Sequence, residues 1–313
     1  MIDQDEQRRT RIAWLYYVEG RTQAEIAATL GINRVKVLRD LAAAREAGLV
    51  QFRIHGRLAG CVALERELCQ RFGLRDAVVL PTPQDPASLP VVLGTAAGHY
   101  LSDRLGPGMT VGVGWGRTLR WSARSIQRRS IRDLTIVSLM GGLGRASEFN
   151  TYETAARLAE ALDATCLYIA APTYASSPAL RDLLHAQDSL AEVRARAMQA
   201  QMVLFSVGTL GPDAPTLTRG LLTDAEQASL DAAGAVGDLL GHFLGADGRL
   251  LDHPVNRRVV GVAPDELAAV PIRILASGGP EKGQVMRAVL AAGYANLLIT
   301  DQQAAEALCA DAR

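Results

Sequence analysis

Lysine is nearly absent from this chain of 313 residues, which carries only Lys36 and Lys282 and fills its other basic positions with arginine. A genome-wide codon bias toward arginine and alanine would explain this scarcity of lysine. Against that background, each retained lysine is a weak candidate for a functional role. Neither sign of charge is in excess, because 33 basic residues balance 33 acidic ones. The chain as a whole is therefore no general electrostatic binder of nucleic acid, and any such surface must be local.

Cysteine and long apolar runs are scarce as well. The cysteines show no CxxC spacing and have no histidines near them in a ligand pattern, so no zinc site, other metal, cofactor or disulfide framework is expected. The N-terminal segment MIDQDEQRRTR lacks the apolar stretch of a signal peptide, and no run of about eighteen apolar residues could span a membrane. We therefore expect a cytoplasmic protein with reduced thiols.

The pattern of apolar residues changes early in the chain. Residues 8–47 show helical periodicity, and Leu49–Ile54 alternates weakly like a short strand. The pattern then resets around His55–Gly60, as expected at a domain boundary. Length and pattern together predict two unequal domains, residues 1–56 and residues 57–313.

The larger domain alternates between apolar runs and helical stretches from Asp76 onward. Continuous apolar runs suit strands that are buried on both faces, and their alternation with helices predicts an α/β, Rossmann-like, mostly parallel sheet. The amphipathic helix predicted over Cys61–Phe72 could pack on this domain or pair with a second subunit. The expected strands are Ala77–Leu80, Met109–Val113, Leu134–Met140, Cys166–Ala170, Met202–Val207, Val259–Val262, Ile272–Ala276 and Leu297–Thr300. The expected helices are Val91–Leu105, Thr118–Arg128, Tyr152–Leu162, Val285–Ala291 and Gln303–Cys309.

The segment TQAEIAATLGINRVKVLRDL, residues 22–41, has the layout of a helix-turn-helix. Thr22 followed by Glu25 is a capping-box pattern at the start of the first helix. Gly31 supplies the turn, where a positive φ is favourable for glycine. Asn33 is a good cap for the second helix.

Apolar and small residues in this segment predict its core. Many such motifs have an apolar residue where this chain has Asp40, and we expect Leu38 and Leu41 to take over the packing. The other expected inward-facing residues are Ile26, Ala27, Leu30, Ile32 and Val37.

The second helix of the segment is the candidate recognition helix, which would lie in the major groove of DNA. Arginine and lysine can read guanine or hold phosphates, and no acidic residue interrupts the run before Asp40. Leu49–Ile54 would form the wing. The alternative is a small helical domain with a solvated basic face. The candidate DNA-binding residues are Thr22, Gln23, Asn33, Arg34, Val35, Lys36 and Arg39.

A glycine-rich turn in TVGVGWGRTLRWS, residues 110–122, is the most informative feature of the larger domain. Glycines and a following helix N-terminus can bind an anion, and Arg117 and Thr118 can donate further hydrogen bonds. Such turns also serve tight packing of a helix on a strand, and this one lacks the Gly-Lys-Ser/Thr ending of a nucleoside triphosphatase loop. Trp115 could stack on a sugar or plug the core.

Several segments together resemble the SorC family of sugar-responsive transcriptional regulators, and the resemblance covers nearly the whole chain. It rests on the helix-turn-helix segment and on the motifs GVGWGRTL, APTYASSPALRDLL, FSVGTL, GDLLGHFLGADGRLL and GGPEKGQVMRAVLAAGYANLLITDQQAAEAL. Membership implies an effector domain related to sugar-phosphate isomerases and usually a tetramer. It also implies control of a carbohydrate or polyol catabolic operon, with a sugar, polyol or sugar phosphate altering operator binding.

The resemblance also implies which residues contact the effector. The phosphate-side contacts of the family fall on Gly114, Gly116, Arg117 and Thr118, the acidic contact on Asp238 and the basic contact on Lys282. Asp238 could instead be a turn acid and Lys282 a solvated residue at a helix start. With Trp115, these residues form the candidate effector site, and we expect them to converge at the carboxyl ends of the parallel strands.

A sugar-phosphate isomerase or hydrolase on the same anion-binding fold is the alternative function. Such chemistry needs a positioned base with a tuned pKa. No close carboxylate pair, Cys–His pair or GxSxG motif accompanies the glycine turn. An enzyme would also leave the DNA-binding segment without a role, so the sequence favours a regulator.

Overall fold

The computed structural model describes residues 4–47, 49–50, 59–143, 151–211, 214–218 and 220–310. The chain divides into two compact units, Met1–Arg57 and Leu58–Arg313, and each is described here by itself. The helices are α1 Gln4–Tyr17, α2 Gln23–Leu30, α3 Arg34–Glu46, α4 Ala59–Phe72, α5 Leu89–Ser102, α6 Arg117–Ser125, α7 Thr151–Leu162, α8 Pro178–His185, α9 Asp188–Met198, α10 Pro215–Thr218, α11 Asp224–Ala232, α12 Gly283–Ala291 and α13 Gln302–Cys309. The strands are β1 Asp76–Leu80, β2 Thr110–Val113, β3 Thr135–Ser138, β4 Thr165–Leu167, β5 Met202–Phe205, β6 Val207–Gly208, β7 Ala235–Leu239, β8 His242–Gly245, β9 Ile272–Ala276 and β10 Leu297–Asp301.

Helices α1, α2 and α3 form the N-terminal unit, and the capping pattern read from the sequence is confirmed. The Thr22 hydroxyl accepts from the Glu25 amide, and the Glu25 carboxylate accepts from the Thr22 amide at 2.8 Å. Gly31 ends α2 with φ of 65°, and the Asn33 side chain caps α3. The buried apolar residues shared by the three helices are Ile12, Leu15, Ile26, Ala27, Val37 and Leu41.

The expected packing of Leu38 is wrong. Leu38 is 56% exposed, whereas Asp40 is 5% exposed and accepts a hydrogen bond from Arg8 Nε at 2.8 Å. The reason is helical phase. Asp40 and Leu41, three and four positions after Val37, lie on the same inward face of α3 as Val37, whereas Leu38, one position after it, does not. Position 40 therefore remains a core position, which α1 accommodates by supplying Arg8 as a cationic partner.

The wing predicted over Leu49–Ile54 lies almost wholly outside the described residues, since residues 51–58 are not among them. The boundary predicted around His55–Gly60 falls largely in the same stretch. Both remain predictions.

Seven parallel strands form the main sheet of the second unit, in the order β1-β10-β9-β5-β2-β3-β4. Successive residues of one strand enter different apolar clusters, as with Val203 and Leu204 of β5 or Leu298 and Ile299 of β10. Both faces of the sheet are therefore buried, which explains why these strands are continuously apolar in sequence. The α/β class predicted from that pattern is confirmed.

A second, antiparallel sheet of β6, β7 and β8 was not foreseen. Its hairpin turns at Leu240 and Gly241, where φ is 53° and 79°. The strand predicted over Val259–Val262 is wrong, because this segment makes isolated bridges to Tyr174 and Met140 and enters neither sheet. The apolar residues of this segment are buried although the segment is not a strand. A short buried run of this kind has the same apolar pattern in the sequence as a buried strand.

Helical phase in the N-terminal unit gives a direct test. Leu41→Ala should lower the free energy of local unfolding by about 2–5 kcal/mol, because it leaves a cavity among α1, α2 and α3. Leu38→Ala should change it by less than about 0.5 kcal/mol, because that side chain is exposed. Hydrogen exchange of the peptides that cover residues 4–47 measures both values in the full chain. Equal losses in the two variants would contradict the assigned phase.

Candidate effector site and DNA-binding surface

The glycine-rich turn joins β2 to α6, and its first two glycines serve packing. A Cβ at Gly112 would lie 2.6 Å from Leu139 Cδ2, so the neighbouring strands need its absence. The Gly114 amide donates to the Leu204 carbonyl at 2.9 Å, and a Cβ at Gly114 would lie 3.0 Å from Leu240 Cδ2. Gly114 is also outside the cavity lining described next, and its role as an effector contact stays a prediction. Its amide is already used inside the core.

The remaining residues of the turn line a cavity of about 660 Å³. Gly116 adopts φ of 130°, which favours glycine, and no side chain caps the helix that it begins. The first amides of α6 have no partner within the helix, and they carry the positive end of its dipole. Arg117 and Thr118 begin this helix and lie in the same lining. The turn can therefore hold an anion.

The position of Trp115 is consistent with both of its predicted roles, stacking on a sugar and closing the core. It lines the cavity and also packs against the apolar cluster on one face of the sheet. One face of the indole can thus contact a ligand while the rest closes the core.

Asp238 is 2% exposed, lies in β7 and lines the cavity. Its Oδ2 accepts from the Gly241 amide at 3.0 Å in the hairpin turn. The other oxygen, Oδ1, lies against Gly208 of β6, where any Cβ would collide with it. Burial raises the pKa of Asp238 to about 6, although the Gly241 amide and the charge of Lys282 oppose the shift. The carboxylate is thus held by a short antiparallel sheet and is not a solvated turn acid.

Lys282 supplies the cationic side of the cavity. It ends a short 3₁₀ turn, Pro280–Lys282, directly before α12, and its side chain lies in the same lining as Asp238 and Arg117. Desolvation lowers the pKa of its ammonium group, and the neighbouring Glu281 carboxylate opposes that shift. The sequence-predicted residues Trp115, Gly116, Arg117, Thr118, Asp238 and Lys282 therefore meet in one cavity, and Gly114 alone does not reach it.

Asp301 supports this site and was missed in the sequence. It is fully buried at the end of β10, where Oδ1 accepts from the Gly279 amide at 2.9 Å and Oδ2 from the Thr82 hydroxyl at 2.7 Å. A Cβ at Gly278 would collide with Oδ1. Asp301 thus fixes the Gly278–Gly279 turn that leads to Lys282. The sequence signal that could have identified Asp301 is an acidic residue directly after the apolar strand 297–300.

The N-terminal unit presents the candidate DNA-binding residues on α3 and at the start of α2. Arg34, Val35, Lys36 and Arg39 are all exposed. The Arg34 guanidinium donates to Gln23 Oε1 at 3.3 Å, which links the two helices through side chains that both face outward. Thr22 and Asn33 use their side-chain oxygens as helix caps at the starts of α2 and α3, and their contact with DNA stays a prediction.

Among the described residues, no group of three or more histidine, cysteine, aspartate or glutamate side chains could hold a metal ion. Across the same residues, no helix is both long enough and apolar enough to span a membrane. The four cysteines are free thiols.

Comparisons with known proteins agree with this architecture. The family model Sugar-bind, which describes a sugar-binding domain, matches residues 56–310. The transcriptional regulator LsrR of Klebsiella pneumoniae is 35% identical over 315 residues, which cover 98% of this chain and 94% of LsrR. The erythritol catabolism regulatory protein EryD of Brucella abortus is 32% identical over 98% of each chain. The chain belongs to the SorC family of sugar-binding transcriptional regulators.

The crystal structure of the full-length sorbitol operon regulator SorC from Klebsiella pneumoniae extends this match to the fold. It superposes with a TM-score of 0.77 at 25% identity and covers 98% of this chain and 100% of SorC. The resemblance read from the sequence motifs is confirmed. Because these relatives are named as transcriptional regulators, this chain is a transcriptional regulator, and the alternative of a sugar-phosphate isomerase is not favoured.

The buried carboxyl of Asp238 predicts an unusual pH dependence of stability. Aspartate in an unfolded chain titrates near 4, so a folded pKa of about 6 means that the folded state binds the proton more tightly. This contribution to the free energy of unfolding is fully present below about pH 4 and is lost as the pH rises through about 6. Asp238→Asn should therefore stabilise the unliganded protein by about 1–3 kcal/mol at pH 7.5.

Denaturant unfolding at pH 7.5 and at pH 4.5 measures this difference, which should shrink toward zero at the lower pH. Asp231→Asn is the control, because Asp231 is exposed on α11 of the same unit. An Asp238→Asn variant that is less stable than the wild type at pH 7.5 would show that the ionised carboxylate is favoured in the fold.

Proposed function

We propose that this regulator binds operator DNA through α3 and that a small polyhydroxy anion, held in the cavity beside α6, changes its affinity for that DNA. The observation that carries the proposal is the cavity itself. It combines a helix N-terminus without a side-chain cap, the cation of Lys282 and the buried carboxyl of Asp238. No purely structural role needs this combination of groups at one accessible place.

The chemistry of the lining indicates the class of effector. The amides at the start of α6, together with Arg117 and Lys282, suit a phosphate group. The carboxylate of Asp238 can accept from two hydroxyl groups of a sugar or polyol. The names of the relatives EryD and SorC refer to erythritol and sorbitol, which supports a sugar, a polyol or a phosphate of either as the effector of this chain.

The DNA-binding domain is proposed to comprise residues 1–56 and the effector domain residues 57–313. The operator contacts of the DNA-binding domain are proposed to come from Arg34, Val35, Lys36 and Arg39, with Gln23 beside them. We propose a homo-oligomer, a tetramer by analogy with the family, because paired half-sites match a two-fold symmetric protein. Since operator DNA is its partner, the protein is proposed to act in the cytoplasm.

The recognition surface is tested by replacing Arg34, Lys36 and Arg39 together with alanine. Operator binding should be lost, and Lys36→Ala alone should weaken it by about 1–3 kcal/mol if Lys36 reads a base. A retardation assay on an operator selected from random DNA by the wild-type protein measures this effect. Arg45→Ala is the control, since Arg45 is exposed on the last turn of the same helix. Undiminished affinity of the triple variant would remove the assignment of α3.

The effector site is tested with sorbitol, erythritol, sorbitol 6-phosphate, erythritol 4-phosphate and inorganic phosphate as probes. A compound that binds only the folded state raises the melting temperature of the wild-type protein. Lys282→Ala and Asp238→Ala should abolish that rise and the effect of the compound on operator binding, while DNA binding itself remains. The control is Arg249→Ala, because the Arg249 side chain is 88% exposed. The proposal fails if no sugar, polyol or phosphate of either raises the melting temperature of the wild type.

A further inference from the structure

The hairpin turn beside Asp238 is held by a tyrosine hydroxyl from a distant part of the chain. Tyr174 Oη donates to the Gly241 carbonyl at 2.8 Å, and the Gly241 amide donates to Asp238 Oδ2 at 3.0 Å. Both backbone polar groups of one glycine are therefore used, one by the cavity carboxylate and the other by Tyr174. Tyr174 is not among the residues that line the cavity, so its link to the candidate effector site is this turn.

The turn does not match the residue preferences for its conformation. Leu239 pairs with His242, which leaves Leu240 and Gly241 as a two-residue turn with a positive φ at both positions. Such turns favour asparagine, aspartate or glycine, and a leucine at positive φ is strained. Contacts from elsewhere in the fold must therefore hold the turn in place.

Three contacts supply that support. Leu240 is 1% exposed, and its Cδ2 would lie 3.0 Å from a Cβ at Gly114. The Leu240 carbonyl accepts from His242 Nδ1 at 3.2 Å. The third contact is the bond from Tyr174, which fixes the peptide group after Gly241. Because the amide of Gly241 lies on the other side of the same Cα, this bond restrains the direction of that amide.

The main chain on either side of Tyr174 is fixed by the segment that follows α11 and the antiparallel sheet. The Ala175 amide donates to the Arg258 carbonyl at 2.8 Å, and the Thr173 carbonyl accepts from the Val260 amide at 2.8 Å. Tyr174 thus approaches the hairpin from a rigid base.

The Tyr174 hydroxyl is also a permanent donor. Burial raises its pKa well above the usual range of tyrosine, and the charge of Asp238 adds to the shift. The hydroxyl therefore stays protonated across the pH range in which Asp238 titrates, near its pKa of about 6. The bond to Gly241 is available whether Asp238 is charged or neutral.

We propose that Tyr174 is a positioning residue of the effector site, which acts through Gly241 to hold the Asp238 carboxylate in the orientation that accepts hydroxyl groups of the effector. Arg117 and Lys282, which suit the anionic group, are not part of this route. The inference rests on the proposed effector function and deepens it, because it makes recognition of the hydroxyl groups depend on a residue outside the cavity lining.

Tyr174→Phe tests this inference, since it removes the hydroxyl and keeps the ring. Tyr100→Phe is the matched control, because the Tyr100 hydroxyl also donates a tertiary hydrogen bond, to Asp76 Oδ2 at 3.0 Å, and Tyr100 does not line the cavity. The probes for calorimetric titration are sorbitol 6-phosphate, erythritol 4-phosphate and inorganic phosphate. Tyr174→Phe should weaken binding of the polyol phosphate that the wild type prefers by about threefold to tenfold. Its binding of inorganic phosphate should not change.

The pH dependence of binding distinguishes positioning of Asp238 from a general loss of structure. The ionised carboxylate is the better acceptor, so the affinity of the wild type for the polyol phosphate should fall as the pH drops through about 6. The Gly241 amide holds the pKa of Asp238 down, so a less firmly held Gly241 should raise this midpoint in Tyr174→Phe. The phosphate group of the probe titrates near about pH 6 as well, but it does so equally for every variant. The other charged residues of the lining are also the same in every variant, namely Arg117, Glu281 and Lys282.

Tyr100→Phe should keep the wild-type midpoint and the wild-type affinities. Either an unchanged affinity of Tyr174→Phe for the polyol phosphate or an unchanged midpoint would overturn the inference, while the effector function stands. An equal loss of affinity for inorganic phosphate would also overturn it, because the hydroxyl would then support the whole cavity. If the wild type binds none of the probes, the effector function itself fails, and this inference fails with it.

Discussion

The common direction of the seven strands is the constraint on which the candidate effector site depends. Because β1, β2, β5, β9 and β10 run parallel, the chain leaves each of them at the same edge of the sheet. The glycine turn after β2, the segment after β5 and the turn after β9 therefore face one cavity. Residues more than a hundred positions apart in sequence meet there without any long excursion of the chain.

Two buried carboxyl groups determine how that edge is built. Asp238 sits against Gly208, and Asp301 sits against Gly278, where a Cβ on either glycine would collide with the carboxylate. Asp301 accepts from two internal donors and holds the turn before Lys282, whereas Asp238 accepts from the Gly241 amide. Burial raises the pKa of Asp238, because desolvation penalises its ionised form.

The N-terminal unit also contains a buried carboxyl group that has a partner within the fold. The inward face of α3 contains Val37 and Leu41, and helical phase places Asp40 on that face as well. Arg8 then makes a buried carboxylate tolerable, while Leu38 is left on the outside beside the basic surface. The packing of α3 in this unit thus depends on the Arg8–Asp40 ion pair and a small apolar core.

The sequence by itself determined the family and the elements of the main sheet. Continuous apolar runs predicted the strands of the main sheet, capping residues predicted the limits of α2 and the start of α3, and motifs identified six of the residues that line the cavity. All of these are local signals. Tertiary structure alone decided that Gly114 packs inside the core, that β6, β7 and β8 hold Asp238, and that Asp301 fixes the turn before Lys282. The physical reason is that these contacts follow from the order of the strands and from the crossings between them. A local pattern of apolar and polar residues reports which face of an element is buried, but not which distant element covers it.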